Sequence, residues 1–84
     1  MDRDEIRAKV RDILAEVIED DNVEIEDATV AEEVPDWDSI NHVRMIVDIE
    51  AQFGIRFEIE EITRSENVGD LVDMIKAKLD RQGA

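Results

Sequence analysis

The 84-residue sequence has no cysteine and no tyrosine, and it is poor in glycine, proline and aromatic residues. Without cysteine the chain cannot form a disulfide, a thiolate nucleophile or a thiolate zinc site, which is typical of proteins from reducing compartments. Basic side chains are also scarce, because 10 Lys and Arg residues stand against 24 acids, and the formal net charge is 10 − 24 = −14. Proteins that bind nucleic acids or anionic membrane surfaces need a basic surface, so this charge disfavours both classes.

Long apolar runs are absent as well, since no stretch approaches the length of a membrane span. The acidic start, with Asp2, Asp4 and Glu5, does not match a secretory signal. We therefore expect one small soluble domain over residues 1–84, monomeric and cytoplasmic, with basic protein partners. A chain of this size buries only about 60% of its unfolded surface, which makes a deep catalytic cleft hard to build.

Apolar residues recur at helical spacing, which argues against the disorder that high charge would otherwise suggest. Asp2 and Glu5 have the spacing of a capping box before the first helix, Asp38 is a good N-cap for the second, and Gly54 suits the left-handed position after it. Asn67 has a similar capping relation to Asp70. The pattern predicts main helices over residues 4–18, over residues 39–52 and from near residue 67, with an extended link over 56–59, a short helical turn over 60–63 and fraying over 82–84.

Residues 19–38 form a long segment with ten acids and no base. Loops of this length are uncommon and are usually functional or disordered. Scattered apolar residues such as Val23, Val34 and Trp37 indicate a loop that is pinned onto the core, with a turn near residues 29–33. The acids do not form a calcium loop, because Ile25 occupies the place of the required glycine, and we predict no dedicated metal site. We expect the ten acids to be uncompensated and to repel one another. The predicted fold is all-α, a small four-helix bundle of three main helices and one short helix, with this acidic loop between the first two main helices.

The second helix carries two apolar stripes. Ile46, Ile49 and Phe53 form the first, with Met45 at its margin, and the second lies beside it and consists of Ile40, Val43 and Val47. One explanation is that this is the central helix of the bundle, packed on both sides. The other is that part of the second stripe contacts a partner or an apolar cargo.

Ser39 is predicted to be the first residue of this helix, immediately after Asp38. Free backbone N–H groups give a helix N-terminus positive character, which favours a phosphate attached there, although Asp36 and Asp38 oppose it. Taken alone, such a serine is usually just a helix-start residue. His42 lies three residues later, but the sequence has no glycine-flanked nucleophile turn, so a hydrolase that uses Ser39 and His42 is the weakest of the readings.

The segment Asp36-Trp37-Asp38-Ser39-Ile40, followed by an apolar helix that ends in Glu50-Ala51-Gln52-Phe53-Gly54-Ile55, resembles the acyl carrier protein family. That family is built around an Asp-Ser-Leu motif at the start of its second helix. The resemblance covers nearly the whole chain, including Val68-Gly69-Asp70-Leu71-Val72 at the start of the last helix.

The resemblance implies that a phosphopantetheinyl transferase attaches the 4′-phosphopantetheine of coenzyme A to Ser39, with Asp38 as the motif residue and helix cap. The protein would then be a phosphoprotein and a non-catalytic carrier. It would hold acyl groups as thioesters and deliver them to enzymes with basic patches, in a fatty-acid-like or secondary-metabolite pathway.

The sequence departs from the family pattern at four positions. Ile40 replaces the usual leucine, Trp37 stands where a small residue or glycine is common, and Asn41 and Arg44 occupy positions that are often acidic. These changes favour a specialised stand-alone carrier, with Arg44 as the residue that selects partners. We expect the partner face to consist of Asp36, Trp37, Ile40, Asn41, Val43, Arg44, Val47 and Asp48.

Two other functions fit the same features. One is an aminoacyl or peptidyl carrier, which would use Ser39 in the same way. The other is an unmodified acidic helical adaptor that binds a basic protein partner and needs nothing from Ser39.

Overall fold

The computed structural model describes residues 2–82, and within them every regular element is helical. The elements are α1 (Arg3–Ile18), a 3₁₀ turn (Ala31–Glu33), α2 (Ser39–Phe53), α3 (Ile59–Arg64) and α4 (Val68–Gln82). The prediction of an all-α fold with three main helices and one short helix is confirmed. No helix within residues 2–82 combines the length and apolarity needed to cross a bilayer.

The ends of the main helices are fixed by the predicted capping residues. The Asp2 carboxylate accepts a hydrogen bond from the Glu5 N–H at 2.9 Å. Gly54 ends α2 in the left-handed conformation at φ 66°, where a side chain is unfavourable. Asn67 Oδ1 accepts from the Asp70 N–H at 2.8 Å, and these caps explain why the helices begin where the sequence pattern predicts.

The C-terminal end of α4 differs from the prediction. Gln82 was expected to fray, but it is helical, and its side-chain amide donates to the Gly54 carbonyl at 2.8 Å. Residues 83 and 84, the rest of that prediction, lie outside the described residues.

The core lies between α1, α2 and α4. Each helix turns one apolar face inwards, and the fully buried large side chains are Ile6, Val10, Leu14, Met45, Ile49, Val68, Leu71, Val72 and Ile75. The short helix α3 is joined to α4 by an ion pair between Lys78 Nζ and Glu61 at 2.8 Å. The hydrogen bond that Lys78 donates, together with one from the Glu58 backbone N–H, lowers the pKa of Glu61.

The acidic loop is pinned to the bundle, as its apolar residues predict. Val23, Val34 and Trp37 are buried in the core. The loop backbone also meets the start of α4, because the Val68 N–H donates to the Thr29 carbonyl at 2.9 Å. The adjacent Gly69 N–H donates to the Asp27 carbonyl at 2.8 Å, and a Cβ on Gly69 would lie 3.0 Å from that same oxygen.

The expectation that all ten loop acids are uncompensated is wrong at Asp27. Arg3 and Arg7 of α1 each form an ion pair with its carboxylate at 2.9 Å. The pKa of Asp27 is lowered, mainly by the hydrogen bond from Arg7 and next by the one from Arg3. Arg11 also holds the loop, since it donates to the carbonyl oxygens of Val23 at 2.8 Å and of Asp21. Basic residues of α1 therefore bind the loop, which has none of its own.

Candidate functional site

Ser39 is the first residue of α2 and is exposed to solvent. The N-cap residue Asp38 has an extended backbone, and its carboxylate accepts a hydrogen bond from the Asn41 N–H at 2.9 Å. The predicted cap and helix start are thus both confirmed. The serine hydroxyl stands at the N-terminus of a 15-residue helix, where the helix dipole favours an attached phosphate and the exposed carboxylates of Asp36 and Asp38 oppose it.

The turn that leads to Ser39 contains a residue with unusual backbone geometry. Asp36 has φ 69°, in the left-handed region that few non-glycine residues adopt. The Asn41 side-chain amide donates to the Asp36 carbonyl at 2.8 Å. Asn41 is predicted from the sequence only as a partner contact, and that prediction does not include this bond within the chain.

Trp37 and His42 form a pair beneath the same turn. The indole Nε1–H donates to His42 Nδ1 at 3.1 Å, and the two rings meet edge to edge, with centroids 5.9 Å apart and planes inclined by 30°. Because Nδ1 accepts this bond, the neutral imidazole carries its proton on Nε2. Desolvation by burial lowers the pKa of His42, which favours that neutral form.

Trp37 is buried, so it does not belong to the exposed surface that was predicted as the partner face. Its side chain is only 7% exposed, because the ring packs into the core and its polar edge is satisfied by His42. Trp37 therefore supports the loop before Ser39 and offers little surface to a partner. The other seven predicted residues are exposed, apart from Asn41, which is half-buried.

The two apolar stripes of α2 have different environments. Met45, Ile46 and Ile49 are buried, whereas the second stripe is exposed, with Ile40 at 68%, Val43 at 59% and Val47 at 55%. The explanation that neighbours bury α2 on both sides is therefore wrong. No other part of residues 2–82 covers the second stripe.

A groove of about 760 Å³ runs between this stripe and the C-terminal end of α1. Val17, Ile18, Val43 and Val47 supply its apolar lining. Four acids and one base surround them: Glu16, Glu19, Asp36, Asp48 and Arg44. The contribution of Glu16 and Glu19 was not predicted, because it depends on how α1 crosses α2.

A second cleft, of about 730 Å³, lies on the Ser39 side of α2. The loop, the start of α2 and the end of α3 form its walls, and the residues beside Ser39 include Trp37, His42, Val43, Ile62 and Thr63. Apolar and hydrogen-bonding groups thus alternate next to the serine hydroxyl.

The geometry does not favour a serine hydrolase. His42 accepts from Trp37 through Nδ1, and no hydrogen bond joins His42 to Ser39 among the described residues. The Asp38 carboxylate already caps α2. No group of three or more potential ligands in residues 2–82 is arranged to hold a metal ion.

Comparisons with known proteins agree with this arrangement. A family model described as "Phosphopantetheine attachment site" matches residues 8–75. The chain is 31% identical over 78 residues to the acyl carrier protein of Thermotoga maritima, and this match covers 92% of this chain and 95% of the relative. It is 34% identical over 77 residues to the acyl carrier protein of Lactobacillus acidophilus, with coverage of 92% and 96%.

The fold is similar to that of a solved carrier. The solution structure of the holo acyl carrier protein from Geobacter metallireducens superimposes with a TM-score of 0.84 at 33% identity. The match covers 90% of this chain and 87% of that protein.

Proposed function

Because the chain belongs to the acyl carrier protein family, we propose that Ser39 is the attachment point of its covalent 4′-phosphopantetheine and that the protein carries acyl groups between enzymes. Members of this family are non-catalytic carriers, and the family model covers most of the chain. The single observation that supports Ser39 is its position, exposed at the N-terminus of α2 and directly after the Asp38 cap.

The residues around Ser39 fit the group. The serine supplies an exposed hydroxyl, and the helix N-terminus favours the negative charge of a phosphodiester. Asp38 fixes the helix start through its bond to the Asn41 N–H, and the transferase would supply the catalysis. When attached, the group supplies the terminal thiol that this cysteine-free chain lacks.

We also propose that enzymes dock on the exposed stripe of α2 and the groove beside it. The stripe offers apolar contact through Ile40, Val43 and Val47. Acids around the groove suit a partner with a basic patch, which raises the association rate while the contact stays weak enough to release.

Arg44 is the exception in this acidic surface. It is exposed in the groove, near Asp36, Asn41 and Asp48, and it is the one Lys or Arg of α2. An acid on the partner would complement this position, as we propose for a specialised carrier.

Arg44→Gln removes this charge without adding an acid to the groove. It is expected to weaken acyl transfer by the cognate enzyme, measured as kcat/KM, by about tenfold, with Tm changed little because surface substitutions usually shift stability by less than about 0.5 kcal/mol. Equal losses of Tm and of transfer would contradict the assignment.

Intact mass tests the attachment site. After incubation with coenzyme A and a broad-specificity phosphopantetheinyl transferase, wild-type protein should gain the mass of one phosphopantetheine. The chain has two serines, so Ser65→Ala is a matched control for Ser39→Ala. Ser65→Ala should be modified normally, whereas Ser39→Ala should stay unmodified.

The outcomes separate the candidate functions. Wild-type protein that several competent transferases leave unmodified would favour the unmodified adaptor. Loading by an amino-acid-activating enzyme, with none by acyl-loading enzymes, would favour the aminoacyl carrier.

A further inference from the structure

The turn before Ser39 spans residues 34–37 and is closed by a hydrogen bond from the Trp37 N–H to the Val34 carbonyl at 3.2 Å, with Pro35 and Asp36 at its centre. Asp36 is not glycine, yet its backbone lies at φ 69°. A side chain at such a position crowds the backbone, and although aspartate tolerates it better than most residues, additional contacts stabilise it. This turn is also at the surface, because Asp36, Asp38 and Ser39 are all exposed.

Asn41 holds this turn from the first turn of α2. Its side-chain Nδ2–H donates to the Asp36 carbonyl at 2.8 Å, and its backbone N–H donates to the Asp38 carboxylate at 2.9 Å. One residue thus bonds to positions three and one before Ser39. The side-chain bond acts directly on the residue whose backbone is unfavourable.

We propose that Asn41 is a positioning residue for the modification of Ser39, and that it acts by holding Asp36 in the left-handed conformation. The inference rests on the proposed attachment at Ser39. The bond keeps the approach to the serine in one arrangement, so a transferase meets the hydroxyl already oriented. Without this bond the turn is held only by its backbone hydrogen bond from Trp37 to Val34, so a larger fraction of the molecules samples other conformations and is not ready to bind the transferase.

This role is separable from folding. The bond lies outside the buried core, and the nearby Trp37 ring remains anchored by His42 when Asn41 changes. A smaller competent fraction raises the apparent dissociation constant in proportion. The loss should therefore appear in the KM of the transferase for this carrier, with kcat little changed.

The test is a double-mutant cycle with Asn41→Ala and Asp36→Gly. Asn41→Ala should raise KM by about fivefold to tenfold, the range expected for one hydrogen bond. Glycine adopts positive φ without crowding, so the same substitution in an Asp36→Gly background should raise KM less than twofold. Gln52→Ala, which removes an exposed amide from the last turn of α2, is the matched control and should leave KM unchanged.

Asn41→Leu provides a second variant, because a side chain of similar size without polar atoms cannot donate to the carbonyl and adds no charge to the surface that the transferase meets. It too should raise KM. The inference is overturned if either Asn41 variant is modified with the wild-type KM, or if the effect of Asn41→Ala is the same in both backgrounds and follows Tm. If wild-type protein itself is not modified at Ser39, it is the proposed function that fails.

Discussion

At the scale of single residues, the pair of Trp37 and His42 links the proposed site to pH. The imidazole accepts the indole hydrogen bond only when Nδ1 is unprotonated, and burial lowers the pKa of His42 from its ordinary value of 6.5. As pH falls, the unfolded chain therefore takes up this proton before the folded chain does. Above pH 6.5 His42 is neutral in both states and does not change the stability of the fold. As pH falls from 6.5 through the lower pKa of the folded state, protonation of His42 in the unfolded chain increasingly destabilises the fold.

We expect His42→Gln to remove this dependence. The free energy of unfolding of the wild type, minus that of the variant, should be smaller near pH 5 than near pH 7.5. Urea titrations followed by the fluorescence of Trp37, the single tryptophan, measure both values. Because both proteins contain the same acids, the pH-dependent contribution of those acids to the free energy of unfolding cancels in the difference between wild type and variant. A difference that stays constant or grows on acidification would contradict the account.

At the scale of elements, α2 has one face that is buried in the bundle and one exposed face that we propose for partners. Ile49 is fully buried, whereas Val47, two residues earlier, is 55% exposed. The residues that stabilise the fold and those proposed for recognition therefore lie within one turn of each other.

Alanine substitutions should reveal this division. Ile49→Ala creates a cavity and should lower the free energy of unfolding by about 2–5 kcal/mol. Val47→Ala should change it by no more than about 0.5 kcal/mol. Chemical denaturation of both variants measures the contrast, and similar losses would show that the outer stripe is covered in solution.

At the scale of the whole molecule, net charge dominates. The formal charge is −14, and among the described residues Asp27, which pairs with Arg3 and Arg7, is the one loop acid in an ion pair, so the other nine loop acids contribute uncompensated negative charge. Salt weakens those ion pairs, but exposed pairs contribute only about 0–1 kcal/mol. Relief of the net repulsion should be the larger effect.

We therefore expect Tm to rise as the salt concentration increases from about 10 mM to about 100 mM, where the Debye length shortens from about 30 Å to about 10 Å. Differential scanning calorimetry measures the change. A flat or falling Tm would mean that the arginine contacts outweigh the repulsion. Arg7→Gln, which removes one of those contacts, is expected to lower Tm and to steepen its rise with salt.

The sequence predicted those features that depend on local spacing. Helical periodicity and caps such as Asp38 and Asn67 placed the helices, because both involve residues within one or two turns. The resemblance then pointed to Ser39, which the structure places where expected at the start of α2.

Contacts between residues that are far apart in the sequence could not be predicted from local spacing. Arg3 and Arg7 lie 24 and 20 residues before Asp27 in the sequence. Their ion pairs with Asp27 therefore depend on how the loop crosses α1. Burial of Trp37 depends likewise on the loop path. The hold of Asn41 on Asp36 is local, but it requires the positive φ of Asp36, for which an aspartate gives only a weak signal.

The most direct test of the central claim is the location of the added mass within the chain. Tryptic cleavage after Arg11 and Arg44 yields the peptide of residues 12–44, which contains Ser39 and no other serine. After treatment with coenzyme A and a transferase, the account predicts one phosphopantetheine on this peptide, assigned to Ser39 by fragmentation. An unmodified peptide, or the group on any other residue, would contradict it.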